Sequence, residues 1–149
     1  PTGDAHRHWP AACGVDESWY FKPDAGQLLG SPADADPVDA HDVQAEELDI
    51  ATGIARIEAA TTLVIRRPRR IWAGLRTFAP DGDLVVGFEP SADGFFWLAG
   101  QGGYGIQSAA AVALLAESLL RGSALPAPLA AAGVQPQALS PARLRRSAG

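Results

Sequence analysis

The stretch AGQGGYGIQ (Ala99–Gln107) puts four glycines into nine residues, directly before a run rich in alanine and leucine. Glycine tolerates positive φ and lets another group come close to the backbone. A helix that starts here leaves the amides of its first turn unpaired and carries partial positive charge at that end. Such an end stabilises an anion, or an oxygen on which negative charge develops. The same glycines also suit a tight strand-to-helix turn packed without a ligand, and local spacing does not separate the two readings. A second chemically capable residue is Arg76, within IWAGLRTFAPDGDLVVG (Ile71–Gly87), where an apolar segment gives way to turn residues. A guanidinium at the mouth of a cavity grips a carboxylate through two parallel hydrogen bonds. The alternative for Arg76 is a surface ion pair with Asp81 or Asp83.

Other chemistries find little support. No nucleophile stands beside a base near either motif, so general acid–base or nucleophilic catalysis has no candidate. Cys13 is the single cysteine, which rules out an internal disulfide and a thiolate metal centre and suits a reducing cytoplasm. The HRH triplet (His6–His8) has no carboxylate at a ligand spacing, so no metal site is expected. A net charge of −5 gives no footprint for nucleic acid, and the basic run RRPRR (Arg66–Arg70) reads as a solvated turn. With 149 residues, 47% hydrophobic and 19% charged, the chain is long and apolar enough for one packed domain. Its longest apolar run, Ala109–Ala116, is too short to cross a bilayer, and no signal peptide is visible.

The elements that must hold these groups follow from pattern. Ser18–Pro32 reads as a hairpin, with strands at Trp19–Lys22 and Gln27–Ser31 around the turn PDAG. An acidic loop (Ala33–Asp42) leads to a helix over about Gln44–Ala60, with Asp42 as its start signal. Val43, Ile50, Ile54 and Ile57 share one face of it, and Gly53 weakens it by about 1 kcal/mol relative to alanine. Three strands are expected next, at Arg70–Phe78, Leu84–Glu89 and Gly94–Ala99, paired antiparallel through tight turns. A buried helix, Ile106–Leu120, carries Gln107, Glu117, Ser118 and Arg121 on a narrow polar stripe and stops at Gly122. The Ala/Pro-rich remainder is expected to wrap the surface and end in a frayed basic tail. The fold class is α+β: an antiparallel sheet, a covering helix and a buried C-terminal helix.

Three linked motifs carry a resemblance. YFKPDAGQLLGSPAD (Tyr20–Asp34), RRIWAGLRTFAPDGDLVVGFEP (Arg69–Pro90) and GFFWLAGQGGYGIQSAAAVALLAESLLRG (Gly94–Gly122) resemble, in order and spacing, the carboxyl-terminal part of the FAD-dependent D-amino-acid oxidase/dehydrogenase family, which includes glycine oxidase and sarcosine oxidase. The resemblance implies that Arg76 binds the substrate carboxylate and that Tyr20 helps hold it. It implies that Gln101, Gly102, Gly103, Tyr104, Gly105, Ile106 and Gln107 lie against the pyrimidine side of the flavin, whose reduced form gathers negative charge at N1 and O2. Gly103 stands where some relatives carry a substrate-contacting side chain, a departure that bears on substrate identity. The implied reaction moves a hydride from the amine-bearing carbon to flavin N5 and leaves an imine that hydrolyses. The protein then supplies mainly orientation and electrostatics, which suits a chain without a nucleophile–base pair.

The sequence lacks the G-x-G-x-x-G turn that cradles the FAD pyrophosphate, because GQGGYG has the wrong spacing and follows the last strand. The chain also has no methionine and begins PTGDAHRHWP. The expectation is therefore a carboxyl-terminal portion, in which residues 1–122 form the substrate-binding and flavin-edge part and 123–149 an extension. The FAD-binding half is expected from the same longer chain or from a second subunit. A different class of protein is also consistent: a non-catalytic binding domain whose Trp9, Trp19, Trp72 and Trp97 serve an interface. For the flavin reading, the glycine turn must be open with the guanidinium of Arg76 beside it.

Overall fold

The computed structural model describes residues 5–145, which divide into two compact units with the boundary between Leu75 and Arg76. The first holds a three-stranded antiparallel sheet of β1 (Ala12–Cys13), β2 (Tyr20–Asp24) and β3 (Gln27–Ser31), in that order. The β2–β3 hairpin is tighter than the turn motif suggests. Asp24 pairs with Gln27, so the loop is only Ala25–Gly26, both at positive φ. These signs belong to the mirror-image turns that match strand twist. Pro23 consequently lies within β2, opposite Leu28, rather than in the turn. It is tolerated because β1 reaches only Tyr20 and Phe21, leaving that edge of Pro23 unpaired.

One helix covers this sheet, α1 (Glu47–Ala60), with Glu46 rather than Asp42 at its cap position and no side-chain cap. Its buried positions, Gly53 and Ile57, face β3 and the residues after it. The Ile57 Cδ1 atom lies 3.0 Å from where a side chain on Gly30 would begin, and a Cβ on Gly53 would sit 3.1 Å from the Pro32 nitrogen. The glycine that weakens the helix by propensity is thus the residue that lets it approach the chain. Arg56 ties the layers further by donating to the Ser18 carbonyl at 2.8 Å. At the amino end, buried His6 donates from Nε2 to the Gly26 carbonyl at 2.9 Å, a structural use of the HRH triplet.

The second unit is built on the antiparallel ladder of β4 (Val85–Phe88) and β5 (Phe96–Ala99), with Val86 opposite Leu98. Its long helix, α2 (Gly105–Arg121), presses Val112, Leu115 and Ala116 towards Val86. Burial on α2 is confined to that face, since Ile106 and Leu120 are exposed. Ser118 departs from the expected polar stripe. It is buried, with its hydroxyl bonded to the Leu115 carbonyl one turn back at 2.8 Å. Gly122 ends the helix in the left-handed conformation, as its position suggests. Two short helices follow, α3 (Ala127–Ala131) and α4 (Pro136–Leu139), then a 3-10 turn at Pro141–Arg145. They do more than wrap the surface. Leu129 belongs to the buried core, and Leu125, Val134 and Leu139 pack against it.

The mixed helix-and-strand content gives the α+β class. The expected strand at Arg70–Phe78 does not form: this stretch has no regular secondary structure, is exposed throughout and joins neither sheet. Among the described residues no helix is long and apolar enough to cross a membrane.

Replacing Gly53 with alanine tests the packing of α1. Helix propensity alone favours the change by about 1 kcal/mol, whereas overpacking against a rigid proline opposes it by roughly 1–3 kcal/mol. Urea unfolding should show a net loss of stability in Gly53→Ala, and a gain would contradict the close approach.

Candidate functional site

The junction between β5 and α2 is positioned by two constraints. Packing of α2 on Val86 fixes the helix, and the β4–β5 ladder fixes the strand that enters the turn. Between them the backbone reverses through Gly100 at φ +71° and Gly102 at φ +50°. Both values lie in the region that side chains oppose, so glycine is required here by conformation. The Gly102 amide donates to the Thr77 carbonyl at 3.0 Å. The Phe78 ring lies so close that a Cβ on Gly102 would meet it at 2.6 Å. The Arg76–Phe78 arm is therefore laid along the glycine turn, by contacts that the sequence pattern did not reveal.

This arrangement brings Arg76 to the turn. Its Nη1 lies 3.8 Å from the position a Cβ would take on Gly103, and nothing else stands within 4 Å of that position. Arg76 is exposed and has no hydrogen-bond or ion-pair partner among the described residues. The surface pair with Asp81 does not form, because Asp81 is held by Arg143 through bonds of 2.6 and 2.9 Å. Phe78 covers the Gly102 side of the junction. Tyr104 and Ile106 are exposed, and Gln101 and Gly105 are half-buried. The junction is an open surface rather than a closed cavity.

The first turn of α2 meets the donor requirement. Tyr104 occupies the cap position without a side-chain cap, and the first backbone bond of the helix runs from the Ser108 amide to the Tyr104 carbonyl at 3.0 Å. The amides of Gly105, Ile106 and Gln107 have no acceptor among the described residues. Unpaired donors at the positive end of a 17-residue helix are of the kind that stabilise an oxygen carrying negative charge.

Tyr20 belongs to the other unit. It opens β2, is half-buried and is paired with Cys13 and Ser31. Thus the structure groups Arg76 with the glycine turn, while Tyr20 is a strand residue of the first sheet.

Two acidic groups nearby are perturbed. The guanidinium of Arg143 lowers the Asp81 carboxyl below its usual range, with help from the Asp83 amide. Glu89 is lowered from 4.5 to about 2, first by the Trp97 indole N–H at 3.0 Å, then by the Ser91 hydroxyl and amide. Arg145 contacts the same carboxylate. Glu89 directly follows β4 and Asp81 lies in the turn before it, so both carboxylates are engaged in bracing contacts.

With this geometry in place, comparison with known families gives one finding. The sequence model described as DAO, FAD dependent oxidoreductase, matches residues 1–119. The chain therefore belongs to the FAD-dependent oxidoreductase family. Its cofactor is FAD.

The residues present suit one end of that cofactor. An open glycine at 103, three free amides and a neighbouring arginine can hold the oxygen-bearing edge of an isoalloxazine. Nothing in the sequence matches the pyrophosphate cradle of the dinucleotide fold.

Two outcomes follow from this geometry. Gly102→Ala should destabilise the protein, because the backbone is left-handed there and the Phe78 ring fills the space, whereas Gly103→Ala should leave thermal stability unchanged. Equal stabilities would contradict the described packing. The second concerns acid. Since Glu89 is depressed on folding, its contribution is fully present above 4.5 and is lost as pH falls towards 2. Thermal melts over that window should fall less steeply for Glu89→Gln than for the unaltered chain.

Proposed function

We propose that this chain supplies the substrate side and the flavin edge of an enzyme that oxidises an amino acid, or a related amine bearing a carboxylate. The single observation that supports this reading is the unpaired Arg76 guanidinium beside Gly103, at the open and uncapped end of α2. When bound, FAD supplies the capacity to accept two electrons from the amine-bearing carbon. The residues of this chain bind and orient. Arg76 holds the substrate carboxylate through its paired donors. The amides of Gly105, Ile106 and Gln107, with Gln101 to Tyr104 around them, seat the pyrimidine edge and stabilise negative charge there. On this reading residues 1–122 form the functional portion and 123–149 its extension.

The openness of the junction bears on partners. An isoalloxazine resting on an exposed Ile106 needs further walls to exclude water. We assign those walls and the pyrophosphate cradle to a dinucleotide-binding half, carried by the same longer chain or by a second subunit. The exposed apolar residues Ile71, Trp72 and Leu75 favour such a protein contact.

The test uses the FAD-loaded enzyme with D-alanine, glycine and sarcosine, each set against methylamine or ethylamine, which lack the carboxylate. The carboxylate-bearing amines should be preferred. Arg76→Ala should raise KM for them by roughly 30-fold, equivalent to about 2 kcal/mol for an unpaired charge, with FAD content retained. Equal loss of FAD and of substrate capture would make Arg76 a structural residue and sink the reading. Gly103→Val, whose Cβ would have only the Arg76 guanidinium within 4 Å, should lower FAD content without lowering the stability of the chain.

A further inference from the structure

The residues after α2 lie beyond the family match, which ends at 119, yet one of them reaches back to the turn that flanks the candidate site. Arg143, whose side chain is only 15% exposed, directs Nε and Nη2 onto that turn, while Nη1 donates to the Ser140 carbonyl at 3.3 Å. Nε donates to Asp81 Oδ2 at 2.6 Å, and Nη2 donates both to Asp81 Oδ1 and to the Asp83 carbonyl, each at 2.9 Å. The turn is compact in itself, with the Gly82 amide on the Ala79 carbonyl at 2.9 Å and the Asp83 amide on the Asp81 carboxylate at 3.2 Å.

The far side of the same turn is the wall against which the glycine junction begins. Gly100 is buried, and a Cβ there would sit 3.3 Å from the Asp83 carbonyl oxygen and 3.6 Å from the Ala79 nitrogen. One oxygen atom, that of Asp83, therefore both accepts from Arg143 and borders Gly100. Two residues on, the Gly102 amide bonds to Thr77, just before Ala79 in the chain. Arg143, the Ala79–Asp83 turn and the glycine junction form one continuous line of contacts.

We propose that Arg143 is a positioning residue for the flavin-edge turn: it fixes the Ala79–Asp83 turn, and this holds Gly100 to Gly102 and the Arg76 arm in register. The inference rests on the function proposed above for Arg76 and the glycine turn. The fork geometry explains why arginine is needed, since a lysine ammonium cannot take both carboxylate oxygens and the carbonyl in one plane. Arg145 provides a matched control. It pairs with Glu89 and Ser91 at the other end of β4, and those partners do not border Gly100.

The experiment compares Arg143→Gln, Arg143→Lys and Arg145→Gln. Amide hydrogen exchange at Gly102, measured on the chain itself, reads the local opening of the turn and requires no flavin. In Arg143→Gln this amide should exchange about tenfold faster, with Arg143→Lys between it and the unaltered chain, while Arg145→Gln leaves it unchanged. In the FAD-loaded enzyme the Arg143 variants should shift the visible absorption band of bound FAD and raise KM for the best amine of the panel above. If Arg143→Gln does not fold, Arg143→Lys carries both measurements. Unchanged exchange at Gly102, or the same acceleration in Arg145→Gln, would reduce Arg143 to a general staple and overturn the proposal. Faster exchange with an unmoved FAD band and KM, while Arg76→Ala still raises KM, would overturn it as well and leave the function of Arg76 standing. Silence of Arg76→Ala and Gly103→Val would instead remove the site itself, and the positioning role with it.

Discussion

Burial of Val86 against Leu115 is the contact from which the second unit is organised. These are the two largest side chains to be fully buried among the described residues. Val86 lies on a ladder of only two strands, which would be marginal alone in water. By packing α2 on that ladder, the pair sets where the strand ends and where the helix begins. The glycine turn has no freedom beyond what those two ends allow. Its left-handed residues then follow from the need to reverse the chain within a few positions.

The site proposed here is chemically simple. It has free amides, one free guanidinium and an open glycine, and no residue that needs to donate or accept a proton in the reaction. This is consistent with an enzyme whose cofactor carries the chemistry and whose protein part contributes orientation and fixed charge. It also accounts for the distribution of perturbed acids. Glu89 and Asp81 are lowered by donors that brace the β4 ladder, so their shifts describe architecture rather than catalysis. A shifted carboxylate is a guide to function only where it faces the site.

Much of the local structure was legible. The β2–β3 hairpin, α1, the β4–β5 ladder and the end of α2 at Gly122 all follow from short-range pattern, because turn residues and periodicity act over a few positions. The misreadings have one cause. Arg70–Phe78 has the composition of a strand but no partner to pair with, and Pro23 looks like a turn residue but lies on an edge left open by a short β1. Ser118 reads as polar surface, yet its hydroxyl bonds one turn back and enters the core. Each turns on pairing or burial that short-range pattern does not carry, although the bond that satisfies Ser118 is itself local.

The sequence by itself determined the family, the residue types available for binding and the elements on either side of the glycine turn. It did so because motif spacing and local conformational preference are properties of the chain. Only the tertiary structure decided that Arg76 lies beside Gly103, that Phe78 covers Gly102, and that Asp81 is taken by Arg143 from 62 residues away. Those outcomes depend on which surfaces meet when apolar side chains leave water, and no short-range pattern encodes that meeting.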